Sequence, residues 1–506
     1  MLNTTNPNNY RYITRHLEIH ILGGIKLNHL DNLRVTVSIN KIGHETKLRH
    51  NIDLYNDNQV EKFVRRVAER IEIGTSIVRT ILQDLTNELE QYRLEQLDTD
   101  DNEIPIKELS KSEENKAIKF LKSKDLLTKT NTLIGQSGVI GEETNRLLMY
   151  LIFTSRKSRN PLHCISLGTS GSGKTHLQSK VAELIPDHEK VEITVLSENA
   201  FYYFNRTELR NKLILIEDLD GAESVLYPLR ELQSKRRITK TVVHKDRKGT
   251  TKTIHLTVEG PVSVAGCTTQ ESVYEDNSNR SFLLYIDESS EQDRKIMQYQ
   301  RRACAGKINI EDEIKAKDFL QNVQMLLQPV KVINPYAEHL ELPQSVFKPR
   351  RTNSHYLQLI EAITFYCQYQ RLKKYDKQTG EEYIEATIED IQAAHSLIHE
   401  VLLRKSDILS GACRNFFEML KTYLKTQTQT TFTNKEIRHI LRINPSNQKR
   451  YMLQLQDAGL IQKAKGDKRN GYQYQVTTYE DYNTTHAQIE QLFTNTIKQL
   501  EVQSSS

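Results

Sequence analysis

The stretch that most limits what this chain can fold into is Gly168-Thr169-Ser170-Gly171-Ser172-Gly173-Lys174-Thr175. Its spacing is G-x-x-x-x-G-K-T, and its surroundings suit that pattern. Residues 162–167 are short and apolar enough for a buried strand. Leu177, Val181, Leu184 and Ile185 then recur at helical spacing, and Pro186 stops the helix. A strand, a glycine loop and a helix in that order make a cradle for phosphate groups. The glycines let backbone N–H groups close on the phosphates, and the helix N-terminus adds partial positive charge. In that cradle Lys174 reaches the β- and γ-phosphates and the Thr175 hydroxyl ligates Mg²⁺, with His176 counted among the nucleotide contacts. The competing explanation is an accidental match in a glycine-containing turn. Glycine is scarce, 20 of 506 residues, which weighs against it. The chain is expected to bind a nucleoside triphosphate, ATP with Mg²⁺.

A second apolar run, residues 212–216, ends in Glu217 and Asp218, with Asp220 two positions on. Open α/β sheets place their ligands at such strand ends. One acid should hold the Mg²⁺ shell, and the next should orient or deprotonate the attacking water. Thr175, Glu217 and Asp218 are therefore the metal candidates. The usual order is Asp then Glu; here it is reversed, which allows Asp218 on the metal and Asp220 near the water. The plain alternative is that charged residues merely end a strand. Residues 261–269 form a further buried strand closing on Thr268 and Thr269, whose hydroxyls could meet the γ-phosphate or the water. Arg280 stands at the foot of the next strand, 281–286. An arginine there could stabilise transition-state charge on a neighbour's nucleotide, or simply be a surface residue.

Between the acidic strand and the threonine-ended one lies a basic stretch. Residues 238–244 and 251–258 alternate like two strands around a glycine-containing turn. From Lys235 to Lys252 there are eight Lys/Arg and one acid, a balance of +7 in eighteen residues. Lys240, Lys245, Arg247, Lys248 and Lys252 would follow a nucleic-acid backbone. The alternative is a solvated edge hairpin protected by its charge.

The formal charge of the whole chain is only +5, so any nucleic-acid surface must be local. The longest purely apolar run, 147–153, is too short to span a bilayer, and the N-terminus has no apolar signal core. A cytosolic protein without membrane contact is the expectation. The five cysteines are scattered, with no C-x-x-C pair, and read as reduced and mostly buried. His395 and His399, four apart on a helix, are expected to be surface histidines rather than metal ligands.

The flanks divide as follows. Residues 1–98 make a small α+β domain, with a frayed polar start at 1–9, strands near 16–22, 33–42 and 47–55, and helices near 58–71 and 75–97. Residues 99–155 are an acidic linker and a helical lead-in whose glycines, Gly135, Gly138 and Gly141, precede an apolar helix; that segment either packs near the adenine or is an ordinary packing helix. The nucleotide core covers 156–305, and 306–428 reads as mainly helical. Residues 429–478 follow a helix-turn-helix-plus-wing pattern, with Ser446 as the N-cap of the second helix. There Lys449, Arg450, Lys465, Lys468 and Arg469 would face phosphates, unless the module serves protein contacts. Residues 479–506 form an amphipathic helix and a disordered SSS tail.

The order of P-loop, acidic strand, basic hairpin, threonine-ended strand and arginine resembles the AAA+ ATPases, within them the hairpin-bearing helicase branch. The runs IGQSGVIGEETNRLL, GTSGSGKTHL, NKLILIEDLDG, GPVSVAGCTT and YEDNSNRSFLLYIDES resemble the ATPase portion of primase-helicase-like proteins of bacterial mobile elements and phages. The resemblance covers about residues 15–480. It implies an α/β AAA+ core with a helical lid, a small N-terminal α+β domain and a C-terminal winged helix. It also implies Thr268 or Thr269 as first sensor, Arg280 as arginine finger and Arg350 or Arg351 as second sensor. The zinc finger or primase-type domain usual in those proteins is missing, so primer synthesis is not implied. The expected function is an ATP-driven motor on single-stranded or forked DNA, assembled as a homo-oligomeric ring, with a primase, replication or transposition partner. The alternatives are an ATP-dependent switch that recruits a partner to DNA, and a winged-helix DNA-binding regulator.

Overall fold

The computed structural model describes residues 2–26, 32–43, 47–100, 107–194, 199–220, 226–245, 251–269, 280–467, 471–479 and 481–505. The chain divides into two compact units, Met1–Ile106 and Lys107–Ser506.

The first unit is a five-stranded antiparallel meander followed by two helices. The strands are β1 (Leu2–Asn3), β2 (Asn9–Ile13), β3 (Leu17–Leu22), β4 (Arg34–Lys41) and β5 (Leu48–Asp53), paired in chain order. Alternation in β3 buries Leu17, Ile19 and Ile21, and the helices α1 (Asp57–Ile71) and α2 (Thr75–Asp100) add Phe63, Val64, Val67, Leu82 and Leu85 to that core. Asn56 caps α1 by accepting from the Gln59 N–H. The expectation that 1–9 is frayed is corrected: β1 pairs with β2, and the Leu2 N–H donates to Glu88. Polar composition hid a strand whose partner is one turn away. Residues 101–106, in the expected linker, lie outside the described residues.

In the second unit, α3 (Lys111–Leu121), α4 (Leu126–Gln136) and α5 (Glu143–Thr154) precede the central sheet. Its strands are β6 (His163–Leu167), β7 (Lys190–Ile193), β8 (Lys212–Ile216), β11 (Val262–Thr268) and β12 (Phe282–Tyr285). They are all parallel, in the order β12-β6-β11-β8-β7. Buried on both faces, β6 and β11 are continuous apolar runs rather than alternating ones. Helix α6 (Lys174–Ala182) follows β6, ending before Pro186, and α7 (Leu226–Lys235) leads into β9 (Arg237–Lys245) and β10 (Thr251–Glu259). These last two form a separate antiparallel ribbon.

Beyond the sheet come α8 (Ser290–Cys304), α9 (Ile310–Leu326), α10 (Pro349–Tyr366), α11 (Ile388–Ser406) and α12 (Gly411–Thr426). This region also holds a small sheet of β13 (Lys331–Ile333), β14 (Lys374–Tyr375) and β15 (Glu382–Glu385), which helical periodicity does not reveal. The chain continues through β16 (Thr431–Thr433), α13 (Asn434–Ile440), α14 (Pro445–Asp457), β17 (Ile461–Asp467), β18 (Gly471–Val476) and α15 (Asp481–Ser505). Asn444, not Ser446, caps α14: its side chain accepts from the Ser446 N–H, and Pro445 takes the first helical turn. Helix α15 runs through Ser505, so the tail is not wholly disordered.

His395 is also corrected from surface to core. It is 6% exposed, its Nε2 lies 2.6 Å from the Tyr356 hydroxyl, and it stacks on Phe493 of α15 at 3.8 Å. The covering helix is nearly a hundred residues away, so local sequence could not show it. Burial pushes the His395 pKa down to about 4. Among the described residues no His/Cys/Asp/Glu group could hold a metal, and no helix is long and apolar enough to cross a membrane. Four of the cysteines are buried, Cys304 is exposed, and all are free.

One buried ion network ties the sheet to its flanking helices. Arg156, fully buried, bonds Glu189, the Gln324 side chain and the Phe153 carbonyl, and Lys157 adds a 2.7 Å pair to Glu189. Burial raises the Glu189 pKa, but Arg156 and Lys157 outweigh it and hold the carboxyl below its usual range. A depressed carboxylate pKa gives stability that is full above the unfolded value and is lost as pH falls through the folded one. Glu189→Ala, which strands a buried guanidinium, is expected to cost about 3–5 kcal/mol. Thermal melting at neutral pH should show a large loss, and the gap to wild type should narrow as the pH drops into the acid range. A shift unchanged by pH would remove the ion network as the cause.

Candidate functional site

The P-loop begins where β6 ends. Gly171 and Gly173 have φ of 83° and 94°, and Gly173 is the left-handed residue that opens α6. Those two conformations turn the backbone back on itself and are open to glycine at little cost. Gly168 is needed for space instead: a Cβ there would lie 2.6 Å from the Ser172 hydroxyl oxygen. Lys174 is the buried cation of the loop, 8% exposed, and its Nζ donates to the Gly168 and Thr169 carbonyls at 2.9 and 2.6 Å. A loop held on its own lysine keeps the ammonium at the mouth of the cradle. Thr169, Ser170, Thr175 and His176 are exposed around it.

Strand order brings the second group in. Strand β11 sits between β6 and β8, with Thr268 level with Leu167 and Gly266 level with Ile216. The carboxyl ends of three strands therefore meet: the P-loop, Thr268–Thr269 and Glu217–Asp218. Burial pushes the Cys267 thiol up to about 11, opposed by the Thr175 hydroxyl and the Lys174 charge and aided by Asp218. Those groups thus surround one sulfur atom. Gly266 allows the close approach of Leu219, whose Cδ1 would lie 2.8 Å from an added Cβ. Glu217 and Asp218 are exposed at the strand end, and Gln178 of α6 ties the Ile216 carbonyl to the P-loop helix.

Asp220 is placed differently from the expectation that it stands by the water. One of its oxygens accepts from the Thr268 hydroxyl at 2.5 Å, the other from the Thr269 hydroxyl at 2.9 Å and the Thr269 N–H at 3.2 Å. The two threonines and Asp220 form one clamp that crosses from β11 to the loop after β8. Sequence analysis also missed Glu288. Its carboxylate accepts from the Thr169 N–H at 2.5 Å. Nearby, Glu142 accepts from the Asp287 N–H, and Gln292 donates to the Ile140 carbonyl. The lead-in segment thus packs against the loop after β12. No local pattern marks these single acids, because they meet the P-loop only through strand order.

Arg280 and Arg351 are not brought to this P-loop. They line a cavity of about 250 Å³ with His163, Ser234 and His355. His163 opens β6, so this cavity lies at the end of the sheet opposite Lys174. Arg280 Nε donates to the Ser234 hydroxyl at 2.8 Å. Burial first, then the Arg280 charge, hold His163 down at about 3. Burial and the charges of Lys405, His163 and Arg351 do the same to His355. The expectation that Arg351 contacts the nucleotide of its own chain is therefore not met by this geometry. Arg350 is exposed beside it.

The basic residues divide between the described and the undescribed. Lys240 is tied down: it donates to Asn199 at 2.7 Å and lies over the Tyr202 ring. Lys235 pairs with Glu231, and Arg236 bonds Asn160. Lys245 ends β9 and Lys252 follows the start of β10, while Arg247 and Lys248 lie outside the described residues. Lys449 and Arg450 are exposed on α14, and Lys465 is exposed on β17. Lys468 and Arg469 lie outside the described residues.

A family model described as the MTBMA_p00010 P-loop domain matches residues 108–326. Those residues, from α3 to the end of α9, are a P-loop domain. The curated uncharacterized protein MTBMA_p00010 of Methanothermobacter marburgensis is 23% identical over 286 residues, covering 54% of this chain and 34% of that protein. The chain thus spans about a third of the length of the curated relative it matches. Among solved structures, a full-length MCM homolog from Methanopyrus kandleri superposes with a TM-score of 0.38 at 15% identity, covering 60% of this chain and 63% of that one. Drosophila ORC bound to DNA gives a TM-score of 0.22 at 13% identity, with 76% and 94% covered. The Aeropyrum pernix ORC1 protein in complex with DNA gives 0.22 at 10% identity, with 74% and 96% covered.

Proposed function

We propose that this chain is an ATP-hydrolysing, AAA+-type motor that acts on DNA as an oligomer of identical subunits. The observation that carries the reading is the separation of two half-sites on one sheet. Lys174, Thr175, Glu217 and Asp218 gather at the carboxyl end, while Arg280 and Arg351 gather at the amino end. One copy alone cannot bring them together; a neighbouring copy can. In this reading the loop and Lys174 hold the triphosphate, and Thr175 with Asp218 or Glu217 would hold Mg²⁺, which supplies charge neutralisation when bound. Oxygen and hydroxyl donors of that kind suit a hard cation. The remaining carboxylate orients the attacking water. Arg280 of the neighbour stabilises charge on the transferring phosphoryl group, and Thr268 and Thr269 release Asp220 to sense it.

The basic ribbon is the proposed DNA-contacting part, with the module of α13, α14, β17 and β18 as a winged-helix second contact. The reversed order of Glu217 and Asp218, with Asp220 held by two threonines, favours one other reading: a slowly hydrolysing switch that assembles on DNA and recruits a partner. ATP turnover with and without single-stranded DNA separates the two. Single-stranded DNA is expected to accelerate turnover several-fold, and Lys245→Ala/Arg247→Ala/Lys248→Ala is expected to lose that acceleration and keep the basal rate. Turnover indifferent to DNA, or a triple variant that behaves as wild type, would rule out the motor and leave the switch.

A further inference from the structure

The base of the basic ribbon carries an aromatic patch that neither the P-loop nor the arginine cavity uses. The segment Phe201-Tyr202-Tyr203-Phe204 lies between β7 and β8. Phe201 is fully buried and lies 6.1 Å from the half-buried Phe204. Those two anchors leave Tyr203 in water, 71% exposed. Tyr227, in the first turn of α7, is 62% exposed. The Tyr202 pKa is raised by burial and then by the neighbouring Tyr227 phenol, so the two rings belong to one patch. Lys240 of the ribbon lies over the Tyr202 ring at 5.6 Å, which joins the patch to β9. The ribbon then extends for nine residues per strand, about 30 Å at strand spacing.

Two phenol rings in open water are costly to leave uncovered without a use. Aromatic residues are only 7% of this chain. What sets this pair apart is its neighbour: the stretch of +7 charge in eighteen residues begins at Lys235, the last residue of α7. Positive charge that tracks a phosphate backbone, beside flat rings that accept any base, is the combination that holds single-stranded nucleic acid without regard to sequence. A protein partner of acidic surface would use the charge but gain nothing from the two rings. Paired duplex keeps its bases stacked on each other and cannot use them either. From this juxtaposition we infer that Tyr203 and Tyr227 stack the bases of a single strand whose backbone follows the basic ribbon. This rests on the DNA reading above and adds to it the strand form that is bound and the residues that grip it.

The test is fluorescence anisotropy of the full chain with a labelled oligothymidylate, over a series of salt concentrations. Tyr203→Ala/Tyr227→Ala is expected to weaken single-strand binding by about 10-fold or more. The slope of log affinity against log salt should stay unchanged, because no phosphate contact is lost. Tyr203→Phe/Tyr227→Phe should bind as wild type, and duplex binding should be unaffected by either pair. The ribbon variant Lys245→Ala/Arg247→Ala/Lys248→Ala should instead flatten the salt slope. If the ribbon variant weakens binding and the alanine pair does not, this inference falls and the DNA reading stands. If neither weakens it, both fall. Sedimentation of the alanine pair supplies the remaining arm: an altered assembly with unchanged affinity would make the patch a contact between copies, and would overturn the inference.

Discussion

Arg280→Ala is expected to lower ATP turnover by about 10³-fold, at little change in ATP affinity. The argument is geometric. Arg280 precedes β12, next to His163 at the start of β6, and Lys174 follows the end of β6. Five residues of strand separate them, about 16 Å, which is beyond the reach of an arginine side chain. Its effect on hydrolysis must therefore pass through another subunit. Arg280→Ala and Lys174→Ala proteins are each expected to be nearly inactive alone and to regain turnover when mixed, since one supplies the arginine and the other the intact loop. Turnover per protomer of the wild type should rise with protein concentration until assembly saturates. A mixture that stays inactive, at unchanged assembly size, would show that the arginine does not serve a neighbour. Wild-type turnover in Arg280→Ala would remove it from the reaction altogether.

Lys174→Ala is expected to reduce turnover at least ~100-fold and to abolish stabilisation by ATP. Removing one preorganised donor from the developing charge costs about 10²–10³ in rate. The lysine is also structural, since its ammonium holds the Gly168 and Thr169 carbonyls. Without it the loop loses both the phosphate contact and its own closure. Ligand at ~100-fold above Kd stabilises a wild-type protein by about 2.7 kcal/mol, which thermal melting resolves easily. The variant should melt near wild type without nucleotide and show no rise with it. A variant that still gained stability from ATP would place the triphosphate somewhere other than this loop.

The nucleotide half-site was legible because its chemistry is local. Glycines at fixed offsets, a lysine and a hydroxyl are adjacent in the chain, and β6 and α6 show their own periods around them. The hairpin was legible for the same reason, since β9 and β10 are joined by a short turn. Where several elements meet, local reading failed. Glu288 on the P-loop, Asp220 in the threonine clamp and His395 under α15 each depend on a partner brought in from far along the chain. Single acids and histidines look alike in sequence whether they end in water, in a core or in a site.

Sequence alone thus determined the phosphate loop, the acids that follow an apolar strand, the basic stretch and most helix and strand positions. Each of these is set by spacing within a few residues, where backbone geometry leaves few choices. Tertiary structure decided what lies beside what. Inserting β11 between β6 and β8 brings threonines, acids and P-loop to one end of the sheet and leaves Arg280 with Arg351 at the other. Strand order is chosen by the packing of helices on both faces, a property of the whole core. No window of sequence contains it, and it is strand order that divides this site into two halves.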